Sequence, residues 1–136
     1  MHMRGVLKLQ QCNYPFAEEL LRKSARITPD DPWVHFHLAE VLAACGNHDA
    51  AVVCFEQALS LGGDDADIYY MYGNSLFELK DSEAAIVNYK EALKRRPADF
   101  DCQLNLANAY ESVGEYDLAI ELLEPLSASD LSLIHI

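Results

Sequence analysis

Apolar residues along this chain recur at intervals of three and four, in runs of about a dozen residues separated by short polar turns. Leu38, Val41 and Leu42 make one such stripe, and Ile86, Tyr89 and Leu93 another. Each run predicts an amphipathic helix that turns one face toward a neighbour. The runs come in pairs, and the pairs repeat: residues 32–65, 66–99 and 100–130 are successive copies, the last truncated, and residues 1–31 hold a partial copy. Small residues stand at matching places, Ala39, Gly73 and Ala107 on the first helix of each pair and Ala51, Ala85 and Ala119 on the second, so paired helices can approach closely.

The punctuation follows the same period. Gly46 and Gly114 end the first helix of their pairs in a left-handed conformation that costs a residue with a side chain roughly 1 kcal/mol. Lys80 holds that place in the middle copy and is expected to bear the cost. Asp30 and Asp31 precede Pro32, a capping acid followed by proline in the first turn, and Asp64, Asp65 and Asp99 are expected to act similarly. Gly62 and Gly63 read as a helix stop, since they follow a helix and lack the Lys-Ser/Thr of a phosphate loop.

Set under one another, the copies share more than periodicity. The first full copy carries Leu38-Ala39, Leu42, Gly46, Ala51, Phe55 and Ala58. The second carries Tyr69, Tyr72-Gly73, Leu76, Lys80, Ala85, Tyr89, Ala92 and Pro97, and the third Leu106-Ala107, Tyr110, Gly114, Ala119 and Leu123 before Pro125 and Leu126 break the pattern. Gly5, Tyr14, Ala17, Leu21, Ser24 and Pro29 fill the corresponding places of the partial copy. On these residues the chain resembles the tetratricopeptide-repeat (TPR) proteins over nearly its whole length. The resemblance implies an all-α fold, a right-handed α-α superhelix or solenoid of antiparallel helix pairs. It also implies a protein–protein interaction scaffold that binds a peptide segment in a concave groove.

Composition narrows the partner. Among 136 residues, 22 acids against 10 bases give a formal net charge of −12, which argues against nucleic acid and against an anionic membrane surface. A protein or peptide that is basic or neutral, with apolar anchors, is expected instead. No apolar run approaches the roughly 20 residues of a membrane span, and residues 1–11 have no signal-peptide pattern, so the expected location is cytoplasmic.

Candidate chemistry is sparse. Cys12, Cys45, Cys54 and Cys102 form no C-x-x-C pair and read as free, mostly buried thiols. His35 and His37 lie about 200° apart around a helix, which argues against a shared metal, and His37 with Glu40 or His48 with Asp49 are weak ligand pairs at best. Asp64, Asp65 and Asp67 lack the glycine and distal glutamate of a calcium loop, and no serine has a His-Asp partner. No cofactor, metal or catalytic residue is expected.

In the fold that the resemblance implies, the first helix of each pair lines the inner face. Counting along those helices places Trp33, Phe36, His37 and Glu40 there in the first full copy, then Asp67, Tyr70, Met71, Asn74 and Phe77, then Asp101, Asn105, Asn108 and Glu111. Trp33, Phe36 and Tyr70 are expected anchors, and Asn74, Asn105 and Asn108 are each expected to hold a peptide backbone bidentately. TPR domains that clamp a carboxylate tail use Lys and Arg on this face. Phe36, Tyr70, Met71 and Asp101 stand there instead, so an anionic tail is expected to be repelled. The inner-face asparagines leave open a second class, the substrate-docking arm of a larger enzyme such as a glycosyltransferase. A third, ranked lower, is a chaperone of the type III secretion kind.

The ends carry separate expectations. Residues 131–136, LSLIHI, correspond to codons resembling a transposon-derived sequencing adapter and are expected to be a non-native tail. Leu122, Leu123 and Leu126 are expected to leave an apolar face uncovered, through which copies of the chain could self-associate. On this reading the chain is a fragment.

Overall fold

The structure is a computed structural model that describes residues 2–124, with side chains described from residue 14 onward. Expectations for Pro125, Leu126, the 131–136 tail and the Cys12 thiol fall outside the described residues. Six helices are α1 (His2–Ile27), α2 (Pro32–Ala44), α3 (His48–Ser60), α4 (Ala66–Glu78), α5 (Ser82–Arg95) and α6 (Phe100–Ser112). A seventh, α7, occupies residues 116–124, and there is no strand among the described residues. The starts of α2, α4 and α6 fall at residues 32, 66 and 100, and those of α3 and α5 at 48 and 82, so the sequence period is also the structural one.

Each start and stop has a local cause. Asp31, Asp65 and Asp99 are N-caps whose carboxylates accept from the backbone N–H of Trp33, Asp67 and Cys102, at 3.0, 2.8 and 3.2 Å. Asn47 and Asp81 cap α3 and α5 in the same way, through Ala50 and Ala84. The stops of α2, α4 and α6 share a doubled hydrogen bond. At the end of α2, Gly46 N–H donates to Ala43 O at 2.9 Å and Asn47 N–H to Leu42 O at 2.8 Å. The same pair recurs as Lys80 to Phe77 with Asp81 to Leu76, and as Gly114 to Glu111 with Glu115 to Tyr110. The closing residue is left-handed each time, with φ of 84° at Gly46, 68° at Lys80 and 83° at Gly114. Lys80 therefore adopts the glycine conformation, as expected.

The partial first copy lacks that turn. α1 runs as one helix from His2 through Pro15 to Ile27, and Cys12 stands one repeat length before Gly46. The later helix pairs turn at a residue with positive φ, and here the helix continues past the corresponding place.

The chain forms two compact units, residues 1–64 and 65–136. In the first, α1 packs on α2 and α2 on α3. Its core is Phe36, Leu38, Ala39 and Leu42 of α2 with Ala51, Phe55 and Ala58 of α3. In the second, α5 packs against both α4 and α6, and α4 also touches α6. Tyr89 is buried there with Ile68, Leu76, Ala85, Ala92, Cys102, Leu106, Ala107 and Ala119. No helix among the described residues is long and apolar enough to cross a membrane.

Candidate functional site

Within the second unit, α4 presents Asp67, Tyr70 and Asn74 at spacings of three and four, hence on one face, and α6 presents Asp101, Asn105 and Asn108 in the same way. The two faces meet at a hydrogen-bonded cluster. Asn105 Nδ2 donates to Asn74 Oδ1 and to the Tyr70 hydroxyl, each at 3.0 Å. The Tyr89 hydroxyl, reaching from α5, donates to the same Asn74 oxygen at 2.6 Å. The Tyr70 and Tyr89 rings lie 6.0 Å apart at an angle of 49°. Burial, then the neighbouring Tyr70, Cys102 and Glu78, hold the Tyr89 phenol far above its ordinary range, so the hydroxyl remains a donor.

This arrangement corrects the expectation that each asparagine holds a peptide backbone bidentately. Both N–H groups of Asn105 and the carbonyl oxygen of Asn74 are already engaged. What they leave is one acceptor, Asn105 Oδ1, and one donor group, the Asn74 amide. The donor and acceptor that match a peptide unit thus come from two side chains on different helices. Asn108 is exposed, and Met71 and Phe77 are half-buried.

Beside the cluster, Asp67, Tyr70, Arg96, Ala98, Asp99, Phe100 and Asp101 line a pocket of about 610 Å³. Arg96 Nη1 donates to Asp67 Oδ1 at 2.8 Å and lies 3.8 Å from Asp99 Oδ2. These acids raise the guanidinium pKa, the Asp67 hydrogen bond most of all. Asp101 and Glu111 are exposed on α6. Phe100 is 54% exposed and forms an apolar shelf. Arg96 and Phe100 were not among the expected site residues. Arg96 is distant in sequence from Asp67, and Phe100 opens α6 next to a capping acid, where nothing in the pattern distinguishes it from a core residue.

In the first unit the expected residues divide. Trp33 is 42% exposed and stands edge-on to Phe36, with ring centroids 5.6 Å apart and planes at 88°. Phe36 itself is only 5% exposed and lies against Phe55, at 6.1 Å. The expectation that Phe36 is a surface anchor is therefore corrected: it lies three residues from the fully buried Ala39, on the stripe of α2 that faces α3. His37 is exposed and its Nδ1 lies 2.8 Å from Glu40 Oε1. Among the described residues no group of three or more His, Cys, Asp or Glu side chains could hold a metal ion.

Cys45, Cys54 and Cys102 are free thiols, but the expectation that the thiols are mostly buried is corrected: Cys102 alone of these three is buried, Cys54 is half-buried and Cys45, the C-cap of α2, is exposed. Burial, and then Asp99, push the Cys102 thiol up to about 12, against a smaller lowering by Arg96.

Sequence models of one repeat family match the chain: one described as tetratricopeptide repeat over residues 8–75, one as TPR repeat over 73–114 and one as tetratricopeptide repeat over 102–131. A peroxisomal targeting signal receptor from Eremothecium gossypii is 31% identical over 115 residues, which are 84% of this chain and 20% of the receptor. The chain thus spans about a fifth of the length of the receptors it matches. A crystal structure of MamA superposes with a TM-score of 0.81 at 24% identity, covering 86% of this chain and 68% of MamA. The first TPR of Spaghetti (RPAP3), bound to the HSP90 peptide SRMEEVD, superposes with a TM-score of 0.73 at 20% identity, covering 82% of this chain and 88% of that one.

Proposed function

Because the chain belongs to the tetratricopeptide-repeat family, we propose that it is a protein-interaction module that holds a peptide segment of a partner against the α4–α6 face. The carrying observation is the Tyr70–Asn74–Asn105–Tyr89 cluster. It holds one amide acceptor and one amide donor ready for a peptide backbone before any ligand arrives. Preorganisation of this kind lowers the ordering cost of binding. A relative named as a receptor for a targeting signal and a structural neighbour solved with a peptide support the same class of activity.

The partner segment is basic or neutral. Asp67, Asp99 and Asp101 line the pocket with Tyr70, Arg96 is the one cation lining it among the described residues, and the whole chain carries a net charge of −12. A lysine or arginine of the ligand would meet carboxylates, while Tyr70 and Phe100 take an apolar neighbour. Exposed Trp33 gives the first unit an aromatic anchor of its own. An acid-rich tail such as SRMEEVD would be repelled by Asp67 and Asp101.

Titration of fluorescent peptides, one series carrying Lys or Arg between apolar residues and a matched series carrying Glu, tests the reading. The basic series should bind, and Asn105→Ala should weaken it about tenfold, the loss of roughly one well-placed hydrogen bond. Circular dichroism should remain helical. Equal affinity for the two series, or an Asn105→Ala variant that binds as well as the parent, would overturn it.

A further inference from the structure

The first unit holds a second pocket, of about 310 Å³, lined by Arg22, Ala25 and Arg26 of α1, His35 and Leu38 of α2 and Cys54 of α3. It lies away from the face that carries His37, because two residues on a helix are about 200° apart. Its lining is cationic in a chain that has 22 acids and 10 bases.

The three polar groups are differently committed. Arg22 gives its Nε to Glu18 Oε2 at 3.0 Å, which leaves its terminal nitrogens available. Arg26 is exposed in the last turn of α1 and makes no hydrogen bond or ion pair with another of the described residues. His35 donates from Nε2 to the Pro29 carbonyl oxygen at 3.0 Å. That bond fixes the ring with its proton on Nε2, so Nδ1 of the neutral imidazole is an uncommitted acceptor, able to take the proton of a monohydrogen phosphate. The helix dipole accounts for a cation in the last turn of α1, and an i,i+4 pair accounts for Arg22. Neither accounts for both guanidiniums lining one pocket with an imidazole from a second helix. The floor is apolar: Leu38 is buried, and burial is the largest cause raising the Cys54 thiol, with Arg22 lowering it and Glu18 raising it. Charges beside such a floor interact more strongly than in open water.

We propose that this pocket is a binding site for a tetrahedral oxyanion of the phosphate class. Guanidinium donors from α1 and an imidazole acceptor from α2 lie on different helices, which suits a monohydrogen phosphate, whose oxygens accept in several directions while its P–O–H donates, better than a carboxylate with its planar pair of acceptors. The same chemistry is presented by free inorganic phosphate and by a phosphorylated side chain of a partner.

Cys54 supplies a local readout, because an anion seated over the floor covers the thiol while exposed Cys45 serves as the internal reference. The rate of alkylation at each cysteine is followed by peptide mapping of the full chain, with inorganic phosphate, with a phosphoserine peptide, and with sodium chloride or acetate at matched ionic strength. Phosphate should slow Cys54 alone, and Arg26→Gln should weaken that protection about tenfold. Stronger protection by the phosphoserine peptide than by inorganic phosphate assigns the source to a phosphorylated partner, and equal protection assigns it to the free ion. Protection by chloride or acetate equal to that by phosphate overturns the proposal, as does protection unchanged in both Arg26→Gln and His35→Gln, each checked by circular dichroism. This site shares no residue with the α4–α6 face, so its failure leaves the peptide-binding reading untouched.

Discussion

Gly73 of α4 lies directly under the ring of Tyr89: a Cβ built on the glycine would stand 2.8 Å from Tyr89 Cε1 and 2.9 Å from Cδ1. At the equivalent places the first full copy has Ala39 and Phe55, both fully buried. In the second, the missing methyl group makes room for a ring whose hydroxyl extends to Asn74. A backbone detail of one helix thereby positions the amide cluster of the candidate site.

Gly73→Ala should destabilise the protein although alanine is the better helix former. The gain in propensity is about 1 kcal/mol and overpacking a filled core costs roughly 1–3 kcal/mol. Tyr89 cannot yield easily, since it is buried and tethered by its hydroxyl. Urea denaturation of Gly73→Ala, Tyr89→Phe and the double variant should show that freeing the ring from its tether lessens the cost of the methyl group. Strict additivity would contradict this account.

The Tyr89–Asn74 hydrogen bond should be measurable on its own. In a cycle of Tyr89→Phe and Asn74→Ala, the coupling should be about 1 kcal/mol, as for a part-buried bond between neutral groups. A coupling near zero would mean that the cluster is not held together through this oxygen.

Lys80 is the one non-glycine among the described residues with a positive φ, and Lys80→Gly should stabilise by roughly 1 kcal/mol. Gly46→Ala and Gly114→Ala should move stability the other way by a similar amount. A Cβ at either glycine would meet nothing within 4 Å, so the effect is that of the backbone alone. Thermal or urea midpoints of the three variants give the signs directly.

Stability should fall in alkali. The Cys102 thiol is raised from 9.0 to about 12 in the folded chain, so between those values the folded state holds a proton that the unfolded state has lost. The contribution is complete below pH 9 and disappears as pH rises toward 12. The Tyr89 phenol, raised from 10.0, acts in the same direction at higher pH. Denaturation midpoints between pH 8 and 11 should decline less in Cys102→Ala than in the parent, and an equal decline would remove the thiol from the explanation.

Thiol reactivity should sort by depth. Cys45 is exposed and should react with an alkylating reagent within the native state, whereas Cys102 is fully buried, donates to Tyr89 O at 3.5 Å and should react only through opening of the second unit. Labelling rates across a urea series check this, since the Cys102 rate should track the unfolded fraction while the Cys45 rate stays nearly constant.

From α2 onward the helix pairs and the turns inside them were legible because each is decided within a few residues, whereas the continuous α1 was not. Asp31, Asp65 and Asp99 cap helices two or three residues away, and Gly46, Lys80 and Gly114 each close a turn with bonds to carbonyls within five positions. The small residues along paired helices are legible for a related reason, since close approach demands them wherever the repeat recurs. Asn47 and Asp81 used the same chemistry and were missed only as caps within the short turns.

The site is another matter. Phe36 and Trp33 are both aromatic on one helix, and which is core and which is surface depends on where Phe55 of α3 lies. Asn74 and Asn105 look like two independent amides in sequence. Helices 31 residues apart along the chain bring them to 3.0 Å, and so decide which of their atoms remain for a ligand. Arg96 joins Asp67 across 29 positions, and the pocket of Arg22, Arg26, His35 and Cys54 draws on three helices. Repetition and capping are short-range and leave their mark on the order of residues. The direction in which a polar side chain spends its hydrogen bonds is settled only when packing brings its competitors within reach.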